Sequence, residues 1–525
     1  MKARAFVPAL AGVFTLATSL SFAAAKVDGP PGIMPTTATL EQVETLNESA
    51  RGTPGPGVHV EDWDVVEGGV PITIHYMRHR SDYFAVRKMG PITSARGTYQ
   101  KQSWYQDENG LTIAQTKPIG AGVDEERTLV TVAAEGTALK VLGEVATPVA
   151  AYVVEGKPTD DVARWYFVEK STGRVVRREY LDEGDHVVVT FDDFRARDGE
   201  TRAWHRRVAY EGKEHGDTYA LRSYETSADV PETAFQPPPN RRVFDVFPKG
   251  TTKVRLPAQF VDNQVFVQVN LGQRGVDLQL DSGSSNINLN RDVAKEMGFQ
   301  LIGDRAIIPK MTIGSIELDD VVVTTLPYSQ ETGSGIKSMG LLGFDFLADA
   351  VVHVDYFNEI AEAYDPDAFN PGQIAGSMQI PVTLDDRVPI APAEVGFAPG
   401  HFLLDTGSFA SFVSASFAKK HPHAVEDRGA GSLSQAISHF QYAQGVSRQI
   451  RLRPVQVDRF LFGGTGFMHP LIYEDAEERP DYDYEDGLIG QDFLRFYDLY
   501  FDYIGSRIVI APNKGLLKQS TSVKH

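Results

Sequence analysis

The sequence contains no cysteine and, beyond its first 25 residues, no long hydrophobic run. The absence of cysteine excludes disulfides, thiolate metal sites and cysteine nucleophiles. The absence of a later run of about 18 apolar residues predicts no transmembrane helix there. Basic residues are few, with 51 lysines and arginines against 70 aspartates and glutamates and a formal net charge of −19. Because so acidic a chain repels phosphate backbones, we expect no nucleic-acid partner.

The remaining composition is that of a globular protein, with 42% hydrophobic and 23% charged residues. At roughly 100–200 residues per domain, the 525 residues predict several domains. The N-terminus has the pattern of an export signal: Lys2 and Arg4 are followed by the apolar or small residues 5–22 and by three alanines. We therefore predict a cleaved signal peptide at 1–25 and a mature protein that is periplasmic or secreted.

The next region predicts a linker followed by a β domain. Residues 26–60 are rich in proline, glycine and threonine, which indicates a linker with one short helix near Thr39–Glu48. From 61 to 245, β-branched and aromatic runs alternate with turn signals such as Asn109-Gly110. Regularly spaced strands of this kind favour one strongly curved antiparallel sheet, a half-barrel. The run Pro237–Pro239 ends the pattern, because proline cannot donate to a strand ladder.

The rest of the chain contains the same motifs twice, in the same order. Asp281-Ser282-Gly283-Ser284 follows one apolar strand, and Asp405-Thr406-Gly407-Ser408 follows another, 124 residues later. Each half then has two apolar residues with a glycine, and an Asp-Tyr pair: Leu341-Leu342-Gly343 and Asp355-Tyr356 in the first, Leu488-Ile489-Gly490 and Asp502-Tyr503 in the second. Such an order indicates an internal duplication.

The two aspartates of the repeats are candidates for a catalytic pair. A single Asp-Ser-Gly is most simply a turn, but a solvent-facing turn does not need an apolar strand before it and another downstream. Two carboxylates about 3 Å apart cannot both ionise, so they share one proton. The charged member can then act as a general base on water while the neutral member donates to a carbonyl oxygen. Asp281 and Asp405 would thus add water to an amide with no metal and no cofactor.

The residues next to the aspartates suit this chemistry. Gly283 and Gly407 let the backbone approach a carboxylate closely and donate an N–H to it. The hydroxyls of Ser282 and Thr406 can brace the two loops by hydrogen bonds.

As a set, these motifs resemble the retropepsin-like aspartic proteases, whose pattern is Asp-Thr/Ser-Gly, a flap hairpin, then two apolar residues and a glycine that lead into a helix. The resemblance covers about 250–514 and implies a mainly β protein, with small β-barrel lobes at 246–375 and 376–514 and a tail at 515–525. It implies that Asp281 and Asp405 are catalytic. It assigns active-site support to a further set: Ser282, Gly283, Ser284, Thr406, Gly407, Ser408, Leu342, Gly343, Ile489 and Gly490. Two lobes in one chain imply a monomer with an internal pseudo-dimer, as in pepsin-like enzymes, that acts on a peptide or protein.

The lobes depart from the family pattern at the flap. The first lobe has room for a short hairpin only, with Gly303-Asp304 as its turn. The second lobe is longer around Gly429–Arg448, where we predict that Phe440 and Tyr442 cap the substrate. Asp345 and Asp492 follow the second glycine of each repeat and are predicted to cap the short helices there.

Two alternative functions stay open. The lobes could hold a peptide without cleaving it. The β domain weakly resembles the half-barrel of LolA/LolB-type lipoprotein carriers, through Trp104-Tyr105-Gln106-Asp107 and Asp192-Asp193-Phe194-Arg195. That resemblance would make the half-barrel a carrier of lipids or other hydrophobic molecules.

Overall fold

The computed structural model describes most of the chain and is mainly β, which confirms the predicted fold class. The described residues are 30–53, 55–115, 128–134, 136–157, 163–182, 185–212, 216–240, 246–332, 335–425, 441–444, 449–475 and 486–516. The signal peptide predicted at 1–25 lies outside them, as does most of the predicted tail.

A single antiparallel sheet forms the N-terminal part of the molecule, here called the half-barrel. The chain runs outward from β1 to β6 at one edge, re-enters at β7 on the other edge, and returns to β13, which pairs with β1 in the middle. Its strands are β1 (Val58–Glu67), β2 (Val70–His79), β3 (Asp82–Met89), β4 (Ile92–Tyr99), β5 (Gln102–Gln106), β6 (Thr112–Gln115), β7 (Ala138–Val145), β8 (Ala151–Lys157), β9 (Arg164–Glu169), β10 (Val175–Asp182), β11 (Asp185–Arg197), β12 (Glu200–Tyr210) and β13 (Asp217–Ser227).

Two helices, α1 (Leu40–Arg51) and α2 (Leu129–Ala134), pack on this sheet. Thr39 and Gln42 form a capping box that starts α1. Val43 is fully buried in the apolar core of the half-barrel, as is Leu129. The short helix predicted near Thr39–Glu48 is therefore present as α1, but the segment 26–60 does more than link, because this helix packs on the sheet. The proline and glycine content of the segment indicated a loop, whereas the apolar face of the short helix packs into the domain.

The first lobe is built on a nine-stranded sheet that contains β15 to β23. The elements of this part of the chain are β14 (Lys253–Arg255), β15 (Ala258–Val261), β16 (Gln264–Leu271), β17 (Arg274–Leu280), β18 (Asn288–Asn290), α3 (Arg291–Glu296), β19 (Gln300–Ile302), β20 (Arg305–Ile313), β21 (Ile316–Leu326), β22 (Gln330–Glu331), β23 (Lys337–Leu342), α4 (Phe344–Leu347), β24 (Val351–Asp355) and β25 (Ile360–Tyr364).

The second lobe is built on a ten-stranded sheet that contains β27 to β36. The elements here are β26 (Met378–Pro381), β27 (Thr383–Asp385), β28 (Val388–Val395), β29 (Ala398–Leu404), β30 (Phe412–Val413), α5 (Ala415–Lys420), β31 (Gln441–Gln444), β32 (Gln449–Gln456), β33 (Arg459–Phe462), β34 (Thr465–Met468), β35 (Leu471–Asp475), β36 (Gly487–Ile489), α6 (Gln491–Leu494), β37 (Tyr497–Asp502) and β38 (Arg507–Pro512).

A six-stranded sheet, the bridging sheet, joins the two lobes. Its order is β14-β25-β24-β37-β38-β26, so strands that follow each repeat lie side by side at its centre. Val354 of β24 is opposite Leu499 of β37, and both side chains are fully buried. One apolar core runs through both lobes and this sheet, which fixes the position of one repeat relative to the other.

The half-barrel also shares a core with the first lobe. Ile302, Ile307 and Val322 of the first lobe pack into the apolar cluster of the half-barrel. At the turn between β19 and β20, a Cβ on Gly303 would lie 2.9 Å from Val70 Cγ2. The short hairpin of the first lobe is therefore in direct contact with the half-barrel.

Candidate active site

Asp281 and Asp405 follow the ends of two equivalent strands, β17 and β29. Each strand pairs in parallel with the strand that carries the second motif, β23 or β36. Asp281 N donates to Leu342 O at 3.1 Å, and Asp405 N donates to Ile489 O at 3.0 Å. The apolar strands predicted on either side of each aspartate thus serve to fix its backbone.

Ser282 and Thr406 exchange hydrogen bonds where the two loops meet. Ser282 N donates to Thr406 Oγ1, and Thr406 N donates to Ser282 Oγ, both at 3.0 Å. Each hydroxyl then donates to a carbonyl of the opposite strand: Ser282 Oγ to Leu404 O at 2.7 Å, and Thr406 Oγ1 to Leu280 O at 3.0 Å. Both side chains are buried, so these reciprocal bonds are shielded from competition by water.

The glycines of the two motifs bring the carboxyl groups face to face. Gly283 N donates to Asp281 Oδ1 at 2.9 Å, and Gly407 N donates to Asp405 Oδ1 at 2.7 Å. A Cβ on Gly283 would lie 2.6 Å from Asp405 Cγ, and a Cβ on Gly407 would lie 2.6 Å from Asp281 Cγ. Each carboxyl therefore rests on the glycine of the other loop, where no larger residue fits.

The electrostatics of the pair are asymmetric. Burial raises the pKa of Asp281 well above its usual range, and the Asp405 charge and a hydrogen bond to Asp405 raise it further. Burial also raises the pKa of Asp405, and the hydrogen bond from Asp281 and the backbone donors at Gly407 and Ser408 offset only part of that rise. The two carboxyls therefore titrate as one coupled unit, in which these contacts favour the proton on Asp281 over Asp405.

The second-motif glycines lie directly behind the loops that carry Asp281 and Asp405, which are the predicted catalytic loops. A Cβ on Gly343 would lie 2.5 Å from Ser284 O, and a Cβ on Gly490 would lie 2.8 Å from Ser408 O. The residue after each glycine donates its N–H to the same serine carbonyl: Phe344 N to Ser284 O and Gln491 N to Ser408 O, each at 2.9 Å. The support residues predicted from the sequence thus lie in contact with the catalytic loops.

Asp345 and Asp492 do not make the helix-capping bonds predicted for them. The N-cap residues of α4 and α6 are Gly343 and Gly490, and neither has a side-chain cap. Instead, Asp345 Oδ2 accepts a hydrogen bond from Ile287 N at 2.7 Å. Asp492 accepts from Ser411, both from N at 3.0 Å and from Oγ at 2.5 Å. Each aspartate therefore holds the segment just after a catalytic loop.

The sequence analysis did not identify Gln491 or the tyrosines Tyr356 and Tyr503, which lie behind the Asp281/Asp405 pair. Gln491 Nε2 donates to Thr406 O and to Tyr356 Oη, both at 2.7 Å. Tyr503 stacks on Phe344, with ring centroids 5.9 Å apart. Burial raises the pKa of Tyr503 well above its usual range, and the carboxylates of the pair raise it further. The duplicated Asp-Tyr pair was the available signal, because both tyrosines belong to it.

The flap residues predicted in the second lobe are placed only in part. Tyr442 lies on β31, whose backbone pairs with β32 opposite Arg451. Phe440 lies outside the described residues, as does most of Gly429–Arg448. Their role as a substrate flap stays a prediction.

Within the described ranges, no group of three or more histidine, aspartate or glutamate side chains is arranged to hold a metal ion. Over the same residues, no helix has the length and apolar character needed to cross a membrane.

No protein-family model and no curated protein matches the sequence. Partial likenesses to solved structures do exist. A LolA superfamily protein from Nitrosomonas europaea is 13% identical, with 38% of this chain and 98% of that chain covered at a TM-score of 0.31. An aspartic proteinase from Irpex lacteus is 12% identical, with 50% and 98% covered at a TM-score of 0.31. A retropepsin-like aspartic protease from Rickettsia conorii is 17% identical, with 26% and 89% covered at a TM-score of 0.18. Each likeness spans half of this chain or less.

Proposed function

We propose that the protein is an aspartic endopeptidase, periplasmic or secreted, in which the two lobes form a pepsin-like pseudo-dimer. The observation that carries this proposal is the contact of Asp281 and Asp405, each resting on the glycine of the other loop. The reciprocal bonds of Ser282 and Thr406 support it, because they hold the two loops in one fixed arrangement. The bridging sheet supports the pseudo-dimer, since it contains strands that follow both repeats.

The pair can complete peptide hydrolysis without another group. Asp405, as the carboxylate, takes a proton from the attacking water, whose oxygen bonds to the scissile carbonyl carbon. Asp281 gives its proton to the carbonyl oxygen, so a neutral tetrahedral diol forms. In the second step Asp281 takes a proton from a diol hydroxyl, the carbon–nitrogen bond breaks, and Asp405 gives its proton to the leaving amine. Both carboxyls then have the protonation states with which they began.

The test is a comparison of the mature protein with D281N and D405N on casein and on a peptide library. General acid–base catalysis is worth about 100- to 10,000-fold, so each variant should lose at least about 100-fold in kcat. D277N is the matched control, because Asp277 lies on β17, the strand that leads to Asp281. If D281N or D405N keeps wild-type activity, the pair does not perform the reaction.

The two alternative functions predict other outcomes. A peptide-binding module would retain a labelled peptide with no product in mass spectrometry, for the wild type as well as for the variants. A lipid carrier would copurify with lipid. The carrier function is the least favoured of the three, because Val43 and Leu129 of the protein itself fill part of the apolar face of the half-barrel.

A further inference from the structure

The two lobes differ in how they hold the segment after the catalytic loop. In the second lobe, Ser411 supplies both donors to Asp492, and its hydroxyl also accepts from Gly490 N at 2.8 Å. The position equivalent to Ser411, 124 residues earlier, is Ile287, which is fully buried and has no hydroxyl. Ile287 N still donates to Asp345 Oδ2 at 2.7 Å. The first lobe therefore lacks the side-chain donor that completes this support in the second.

A residue of the half-barrel takes that place. Asn109, in the turn between β5 and β6, donates from Nδ2 to Asp345 Oδ1 at 2.9 Å. The same amide pairs with the backbone of Val322 on β21: Nδ2 to Val322 O at 3.0 Å, and Val322 N to Asn109 Oδ1 at 2.9 Å. The asparagine is thus held in a fixed orientation on the first lobe, with its amide aimed at the carboxylate that holds the catalytic loop.

The turn that carries Asn109 is itself well ordered by hydrogen bonds. Asp107 accepts from Leu111 N on its side chain at 2.8 Å and from Gly110 N on its carbonyl at 3.0 Å. Gly110 has a φ of 88°, a conformation that favours glycine. These bonds therefore fix the backbone conformation of the half-barrel turn that carries Asn109.

A second connection runs from the same turn to the catalytic loop. Glu108 lies 4.0 Å from Arg387 of the second lobe and 3.4 Å from Arg305 of the first. Arg387 Nη1 donates to Asn286 Oδ1 at 2.8 Å. Burial raises the pKa of Glu108, but the guanidinium groups of Arg305 and Arg387 together with hydrogen bonds from the backbone and Tyr105 lower it overall. The half-barrel turn, both lobes and the loop after Asp281 thus meet in one buried, charged junction.

We propose that the half-barrel contributes to the activity of the proposed protease, and that its Asn109 is a positioning residue for the loop of Asp281. The inference rests on the proposed function, since positioning matters to a reaction only if the pair performs one. Asn109 donates a side-chain hydrogen bond to Asp345, as Ser411 does to Asp492. The half-barrel is then neither a removable pro-segment nor an independent module.

Kinetics of the full mature chain provide the first test, with N109A and the matched variant S411A of the second lobe. Both should lose about 10- to 100-fold in kcat with little change in KM, because a displaced catalytic group slows the chemical step. N109D should lose activity as pH rises, since a second carboxylate would repel Asp345, and should regain it in acid, where a protonated carboxyl can donate. Wild-type kcat in N109A, or a uniform loss of N109D activity at every pH, would overturn the proposal.

Hydrogen exchange provides a second readout that does not need activity. N109A should speed exchange in the segment 284–289 and leave 408–413 unchanged, whereas S411A should do the reverse. Equal loss of protection in both segments, or none in either, would contradict the proposal. If the exchange pattern holds but the wild type cleaves no substrate, the positioning role stands and the proposed peptidase function fails.

Discussion

Asp405 accepts hydrogen bonds from the backbone of both Gly407 and Ser408, and Asp281 accepts one from Gly283. Each such donor stabilises a carboxylate, so the extra donor favours the charge on Asp405. This small local difference, between two motifs of nearly identical sequence, gives the two residues different electrostatic environments. The aspartates and their neighbours were predictable because the proposed reaction requires these residue types in this order. The direction of the asymmetry was not, since it depends on backbone geometry.

The raised pKa of Asp281 predicts an effect on stability. An unfolded aspartate ionises with a pKa of about 3.9, whereas folded Asp281 keeps its proton to higher pH. Folding is therefore penalised increasingly as pH rises from about 4 towards the folded pKa. D281N removes this penalty and should melt at a higher temperature than the wild type at pH 7, with a difference that shrinks towards pH 4. Thermal melts across this pH range check the prediction, and a constant difference would refute it.

The reciprocal hydroxyl bonds predict a second effect. T406A leaves two buried groups without partners, Ser282 N and Leu280 O. Each unsatisfied buried group costs about 1–3 kcal/mol, so urea unfolding should show a loss in that range or somewhat above it. T406S is the control, since it keeps the hydroxyl and should remain near wild type. A T406S loss as large as that of T406A would mean that the methyl group, not the hydroxyl, matters.

Among the elements, the bridging sheet contains a second pair of facing acids. Asp355 on β24 is opposite Asp498 on β37. Burial, the Asp355 charge and a hydrogen bond to Asp355 raise the pKa of Asp498 to about 7. The sequence showed strands here but not their pairing, because register between strands from different repeats depends on the tertiary fold.

This pair predicts how the bridging sheet responds to pH. Because the folded pKa of Asp498 is raised, its contribution to stability is fully present below the unfolded value of about 3.9 and is lost as pH rises through about 7. The wild type should therefore lose stability between about pH 5 and pH 8, and D498N should flatten this part of the profile. Urea unfolding of both proteins at several pH values measures the effect. If D498N keeps the wild-type slope, other groups are responsible.

Some of the helices and strands could be predicted from the sequence, and others could not. The strands before each aspartate were predictable from their apolar patterns. The packing of α1 on the sheet was not, because proline and glycine around it are equally typical of a linker. Asp345 and Asp492 were assigned to capping for a similar reason: an acid in a first helical turn indicates a cap, and only the fold shows the distant N–H that it accepts from.

For the whole molecule, two lobes with one continuous apolar core predict that the proposed protease needs no partner chain. Activity per molecule should therefore stay constant on dilution, and sedimentation should show a monomer of at most about 58 kDa. An enzyme assembled from two chains would instead lose specific activity on dilution. Activity and sedimentation measured over the same concentration range decide between the two.

The contact of the half-barrel with the lobes could not be predicted at this scale. Glu108-Asn109-Gly110 is typical of an exposed hairpin turn, and a turn pattern does not identify what the turn touches. The first-lobe residues Ile302, Ile307 and Val322 fit an ordinary strand pattern, which gives no sign that they pack into the core of another domain.

The second repeat has Ser411 at the position where the first has Ile287. Only the second repeat therefore supplies its own side-chain donor to the aspartate of its second motif. A symmetric homodimer engineered from two second repeats would carry every donor around its aspartates within its own sequence. One engineered from two first repeats would need an asparagine from elsewhere at each site. A designer who wants a minimal version of this fold should therefore begin from the C-terminal copy.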